Sequence, residues 1–192
     1  MNSRIAKRFM TSKAEARKIL VSFVTAGDPS IDHTVPALHA LVRGGVDMLE
    51  LGIPFSDPEA EGPSIQKSSE RALANGVSVN SVFSMAKEFR EKDKETPVIL
   101  MGYLNSVLAT ENFSDRAYDA GVDGLIIVNL PPEEAEDFQA DLQGNGIDLI
   151  YLLAPTTTDK RALYITERAS GFLYYVSLKG TTGAGHIQID EI

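Results

Sequence analysis

The sequence predicts an α/β fold on a parallel sheet, either a β/α barrel or a doubly wound sheet. Short β-branched runs alternate with longer amphipathic stretches, the pattern of strands wrapped by helices. Successive strand starts lie roughly 25 to 50 residues apart, a spacing that suits βα units and not hairpins. Gly, Pro and polar residues gather directly after each strand, at TAGDPS, GIPFSDPEAEGPS, GYLNS, NLPPEE, APTTTD and SLKGTTGAGH. In either architecture ligands bind at the carboxyl edge of the strands, so this distribution points to a site assembled from several loops.

Strands are predicted at 19–25, 46–51, 97–101, 122–128, 147–152 and 172–177. A helix opens the chain, and others are predicted at about 31–43, 78–92, 111–120, 132–142 and 159–169. The junctions have local causes. Asp28-Pro29-Ser30 caps the second helix and Gly44-Gly45 ends it. Pro131 and Pro132 open a helix whose first turn carries Glu133 and Glu134, which suit its dipole, and Asn145-Gly146 returns the chain to a strand.

With 192 residues and 43% hydrophobic composition, the chain can bury one sizeable core, and one domain is expected. Its 18 basic and 27 acidic residues give a formal charge of −9, with Lys and Arg scattered, which argues against nucleic acid or anionic membranes as partners. The absence of cysteine rules out disulfides, thiolate metal sites and a thiol nucleophile. His33, His39 and His186 are too far apart in sequence to give metal-ligand spacing. No apolar run has the length of a signal peptide or of a membrane span of roughly twenty residues, so a soluble cytoplasmic protein is expected.

The stretch VDMLELGIPFSDPEAEGPSIQ from Val46 to Gln66 is the most informative. The two-residue period of a strand places Val46, Met48 and Glu50 on one face and Asp47, Leu49 and Leu51 on the other. Glu50 thus shares a face with apolar residues, where a charge is costly and the proton is held more tightly. Such a carboxyl acts as a general acid as well as a base near neutral pH. The plainer reading is a strand-end glutamate that reaches water.

Six segments in register, SFVTAGDP, LELGIPFSDP, EGPSIQ, MGYLN, VDGLIIVNLPPEE and YYVSLKGTTGAG, make the whole chain resemble the tryptophan synthase alpha chain family. That resemblance implies a TIM (β/α)8-type barrel, with about six of its eight βα units present here. It also implies retro-aldol cleavage of indole-3-glycerol phosphate to indole and glyceraldehyde 3-phosphate. Indole would pass to a beta chain carrying pyridoxal phosphate in an α2β2 complex, and this chain would carry no cofactor and no metal. Glu50 matches the family's general acid/base and Glu61 its second carboxylate, where Asp is usual. One extra methylene moves the oxygen by roughly an ångström, enough to cost on the order of a hundredfold in rate unless compensated.

Glu59 adds an acid where the family more often has an apolar residue, and its plain reading is a solvated loop charge. Asn129 stands where an Asp is common. Phe23, Met101, Ile127 and Tyr174 match residues lining the indole pocket, although such residues on barrel strands are often plain core. Tyr103 lies in the matching substrate loop. Thr182 and Gly183 match a loop that closes over substrate and excludes water. Pro54, Asp57 and Pro58 match the surface facing the beta chain, and read otherwise as a proline-stiffened turn.

Eight units make a barrel of typically about 250 residues, with the phosphate site in the last loops. This sequence stops at Ile192, so a single incomplete barrel domain over 1–192 is expected, with units seven and eight absent. Strands 19–25 and 172–177 would then be sheet edges, and FLYYV is the kind of edge that pairs with other chains, predicting association and little catalysis without the remote phosphate contacts. Two other functions stay open: a low-activity binding subunit that docks and activates a beta partner, and a sugar-phosphate isomerase or aldolase. Against the latter, no strand-end lysine suits a Schiff base, since Lys179 lies beyond Ser177.

Overall fold

Five strands, β1 (Val21–Thr25), β2 (Met48–Gly52), β3 (Val98–Gly102), β4 (Gly124–Ile127) and β5 (Asp148–Leu149), pair in parallel in chain order. A further parallel pair is formed by β6 (Tyr151–Leu153) and β7 (Leu173–Tyr175). The computed structural model describes residues 3–177. A doubly wound sheet reverses its strand order at a switch point, whereas this order never reverses, which is the arrangement of a barrel wall.

The strands are apolar on both faces, as parallel sheets covered on both sides require. Leu49, Leu51, Val98, Leu100, Leu125, Ile127 and Leu149 point outward into a large cluster with the helices. That layer comprises α2 (Ile31–Arg43), α3 (Pro63–Ala74), α4 (Val79–Lys92), α5 (Leu104–Leu108), α6 (Phe113–Asp119), α7 (Glu136–Gly144) and α8 (Asp159–Thr166). The alternate positions Met48, Ile99, Ile126 and Ile150 form a smaller interior cluster, against which Val21, Met101, Leu152, Phe172 and Tyr174 pack. Each fully buried Leu or Ile contributes about 1.5–3 kcal/mol.

The amino-terminal helix, α1 (Arg4–Ala14), closes the amino end of this interior by inserting Ile5, which is fully buried in the interior cluster. Gly124 makes that possible: a Cβ there would stand 3.1 Å from Ile5 Cδ1 and 3.0 Å from Ile150 Cδ1. Ionic contacts anchor the same end. Asp47 takes a bidentate contact from Arg17 at 2.7 and 2.8 Å and the Leu20 N–H at 2.9 Å. Asp123 is held by Arg4 at 2.7 Å and by the buried Arg90 at 2.6 Å, and accepts the Val98 N–H at 2.8 Å.

Several expected elements differ. The strand expected at 147–152 divides at Ile150: β5 pairs with β4 and β6 with β7, although Leu149, Ile150 and Tyr151 keep alternating between the two clusters. The helices α3 and α5 were not expected; Gly and Pro around them read as loop, yet Pro63 occupies the first turn of α3, where its missing N–H costs nothing. The helix expected from Pro132 is a 3-10 turn, Pro132–Glu134, followed by α7. Ser30 holds the N-cap position of α2 without a side-chain cap bond, because its hydroxyl meets His33 Nδ1 at 2.7 Å and Asp28 is taken by Arg71 at 2.6 and 2.9 Å. Gly45 (φ 101°) and Gly146 (φ 71°) supply the left-handed turns expected of them.

Candidate active site

Glu50 stands in the middle of β2, paired in register with Phe23 of β1 and Ile99 of β3. It lies on the interior face with Met48, as the two-residue period requires, and is 5% exposed. Among the described residues no hydrogen bond or ion pair reaches its carboxyl. Burial without a partner pushes its pKa up to about 7. The group is therefore poised to hold or release a proton near neutrality.

The walls around it come from neighbouring strands. Phe23 folds across the interior face of β2, its ring 2.5 Å from where a Cβ of Gly52 would be, so the missing side chain at Gly52 is what admits the ring. Met101 and Tyr174 pack against the interior cluster, both half-buried. The Tyr174 hydroxyl is pushed up first by burial and then by the charge of Glu50, which places the two groups in one environment.

Ile127 is a correction. It lies in the outer, helix-facing cluster, and the interior position on β4 belongs to Ile126, opposite Met101. Alternation along a strand turns every second side chain away, so a displacement by one residue exchanges the faces.

The loop after β2 carries the second carboxylate. Glu61 accepts a hydrogen bond from the Tyr103 hydroxyl, which also accepts the N–H groups of Glu59 at 2.9 Å and Ala60 at 3.0 Å. Tyr103, directly after β3, is 2% exposed and stacks on Phe55 with ring centroids 5.0 Å apart. Burial, then Glu61, push its hydroxyl up to about 12. Glu59 itself is exposed. Asn129 caps the chain after β3, its Oδ1 accepting the Leu104 N–H at 2.8 Å.

Of the three residues expected on a partner-facing surface, Asp57 is exposed, Pro58 half-buried and Pro54 buried, because Pro54 continues the buried run of β2. Pro54 and Phe55 line a groove with Asn105, Ser106 and Ala109 on its other side. Thr182, Gly183 and Lys179 lie outside the described residues.

A parallel barrel wall that presents a proton-holding buried carboxyl among aromatic and apolar side chains, with another carboxylate on the adjacent loop, defines an acid–base enzyme of the β/α-barrel class. Comparison with known proteins gives the particular family. Residues 9–192 match the family model described as "Tryptophan synthase alpha chain". The tryptophan synthase alpha chain of Thioalkalivibrio sulfidiphilus is 54% identical over 99% of this chain and 72% of that protein. Among solved structures, tryptophan synthase subunit alpha from Legionella pneumophila superposes with a TM-score of 0.87 at 49% identity, covering 92% of this chain and 69% of the other. A structure of the tryptophan synthase a2b2 complex from Pyrococcus furiosus gives a TM-score of 0.80 at 43% identity, covering 86% and 67%. This chain belongs to the tryptophan synthase alpha chain family.

Proposed function

We propose that the chain carries out the alpha reaction of tryptophan biosynthesis, the lyase step that splits indole-3-glycerol phosphate into indole and glyceraldehyde 3-phosphate. Family membership supports the reaction, and the observation that assigns its chemistry to particular residues is the buried, unpartnered Glu50 with its pKa near 7. The carbon–carbon bond breaks once indole C3 is protonated, because the ring then accepts the bonding electrons. Glu50 supplies that proton and takes up the one released from the glycerol hydroxyl as the aldehyde forms. Glu61 accepts the indole N–H and stabilises the positive charge that develops on the ring. Phe23, Met101 and Tyr174 line the pocket, with Ile126 in the place expected of Ile127.

The proposed partner is a beta chain, by similarity to the a2b2 assembly of the Pyrococcus furiosus relative. The exposed Asp57, the flanking Pro58 and the groove along Phe55 and Asn105 form the docking surface. No helix among the described residues is long and apolar enough to cross a membrane. A cytoplasmic location suits this biosynthetic step.

Indole release from indole-3-glycerol phosphate, compared between the native chain and Glu50→Gln with the beta chain present, tests the assignment. Loss of release in the variant is expected. Equal rates would remove Glu50 from the mechanism.

A further inference from the structure

We propose that Tyr103 is the positioning residue for the second carboxylate, acting through the loop that carries Glu61 and not by contact with substrate. This rests on the lyase reading above. The loop following β2 leaves the sheet at Ile53 and runs to the start of α3 at Pro63, and Tyr103 holds it at two places. Its ring stacks on Phe55 at an interplanar angle of 25°, and its hydroxyl meets Glu59, Ala60 and Glu61.

A tyrosine hydroxyl has one proton and two lone pairs. Two backbone N–H groups occupy the lone pairs, so the proton is directed to Glu61 Oε2 and the hydroxyl has no capacity left for a ligand. The upward shift of the Tyr103 hydroxyl to about 12 keeps that proton in place across the working pH range. Anchoring Oε2 leaves Oε1 as the acceptor for an indole N–H.

A glutamate side chain has several rotatable bonds, and an untethered carboxylate at Glu61 would spread over more space than productive geometry allows. A hydroxyl fixed by two backbone contacts of the same loop sets where that side chain ends.

The test is a double-mutant cycle of Tyr103→Phe and Glu61→Ala in the complex with the beta chain. The phenylalanine variant keeps the ring and its stack and removes the hydroxyl alone. Tyr103→Phe is expected to lower kcat by about tenfold to a hundredfold while changing KM by less than about threefold. On the Glu61→Ala background the same change should cost less than about twofold, because the carboxylate it positions is gone.

A second measurement does not depend on turnover. Amide hydrogen exchange at Glu59 and Ala60 should accelerate by about tenfold or more in Tyr103→Phe, with β3 unchanged. Equal losses on both backgrounds, or exchange that does not change, would overturn the proposal. If instead Glu50→Gln released indole normally, the lyase assignment would fail while the exchange result still decided whether Tyr103 holds the loop.

Discussion

Asp47 directly precedes β2 and Glu50 stands at its middle, separated only by Met48 and Leu49; both are nearly sealed from solvent, 4% and 5% exposed, and Glu50 is set the deeper of the two. Their chemistry is opposite. Asp47 is held below the usual carboxylate range, first by its contact with Arg17 and also by the Leu20 N–H and Arg8. Glu50 has no such partner and is raised to about 7. The state of each carboxyl is fixed by how deeply the fold sets it and by which groups the fold brings to it. At the amino ends of the strands, α1, the segment that follows it and α4 deliver guanidinium groups to Asp47 and Asp123. Further along, at the middle of β2, nothing cationic among the described residues reaches Glu50. The amino ends of the strands are built for stability and the interior face beyond them for proton transfer.

The sharpest way to break this contrast is to neutralise each acid in turn. Glu50→Gln should lower indole release by about a hundredfold to ten-thousandfold, while Asp47→Asn, assayed per folded molecule, should leave it within a few-fold. Steady-state kinetics on both variants at one pH decides it, and a severe loss of turnover in folded Asp47→Asn would erase the division of labour.

Stability should show the reverse order. Asp123→Ala strands the guanidinium of Arg90, whose side chain is only 7% exposed, and should cost about 3–5 kcal/mol in urea unfolding. Asp47→Ala should cost less, since Arg17 is 40% exposed and regains water. Equal costs would mean that exposure of the abandoned cation does not matter.

The two acids also predict opposite pH dependence. Glu50 binds its proton more tightly folded than unfolded, so between its ordinary 4.5 and about 7 the native state holds more proton and stability falls as pH rises. The full effect is on the order of 3 kcal/mol, and it should vanish in Glu50→Gln. For Asp47, lowered from 3.8, the contribution is present above that value and is lost as pH falls below it. Unfolding free energies from about pH 3 to pH 8 would sink this account if the native chain and Glu50→Gln followed parallel curves.

Two glycines give the smallest effects and sharpen the contrast further. Gly124→Ala crowds Ile5 and Ile150 at the closed end and should cost about 1–3 kcal/mol with little change in turnover. Gly52→Ala would displace the Phe23 ring beside Glu50 and should impair indole release more than melting temperature. Matched effects on both quantities in both variants would show that the two ends are not separable.

The interior face of β2 was legible because a period of two needs only the order of Met48, Leu49, Glu50 and Leu51. The same rule, applied to β4 through a resemblance and not through its own alternation, put Ile127 where Ile126 belongs. The helix α3 left a signal in its Pro63 start, its Asn75-Gly76 end and an apolar stripe like that of α4, but it follows directly on a Gly/Pro loop whose end masks its first turn. The division of β5 from β6 left none, since the alternation of Leu149, Ile150 and Tyr151 is continuous and only the pairing partner changes.

By itself, the sequence determined the parallel β/α pattern, the family and the acid on the inner face of the second strand, because these depend on local period and on short ordered motifs. The tertiary structure decided which carboxyls would be ionised and which would keep a proton, and that Tyr103 would hold the Glu61 loop. Those outcomes depend on groups far apart in the chain, Arg17 with Asp47, Arg4 and Arg90 with Asp123, Tyr103 with Glu61. No local pattern records such meetings, since electrostatics and hydrogen bonding act across space and are set only when the chain has closed.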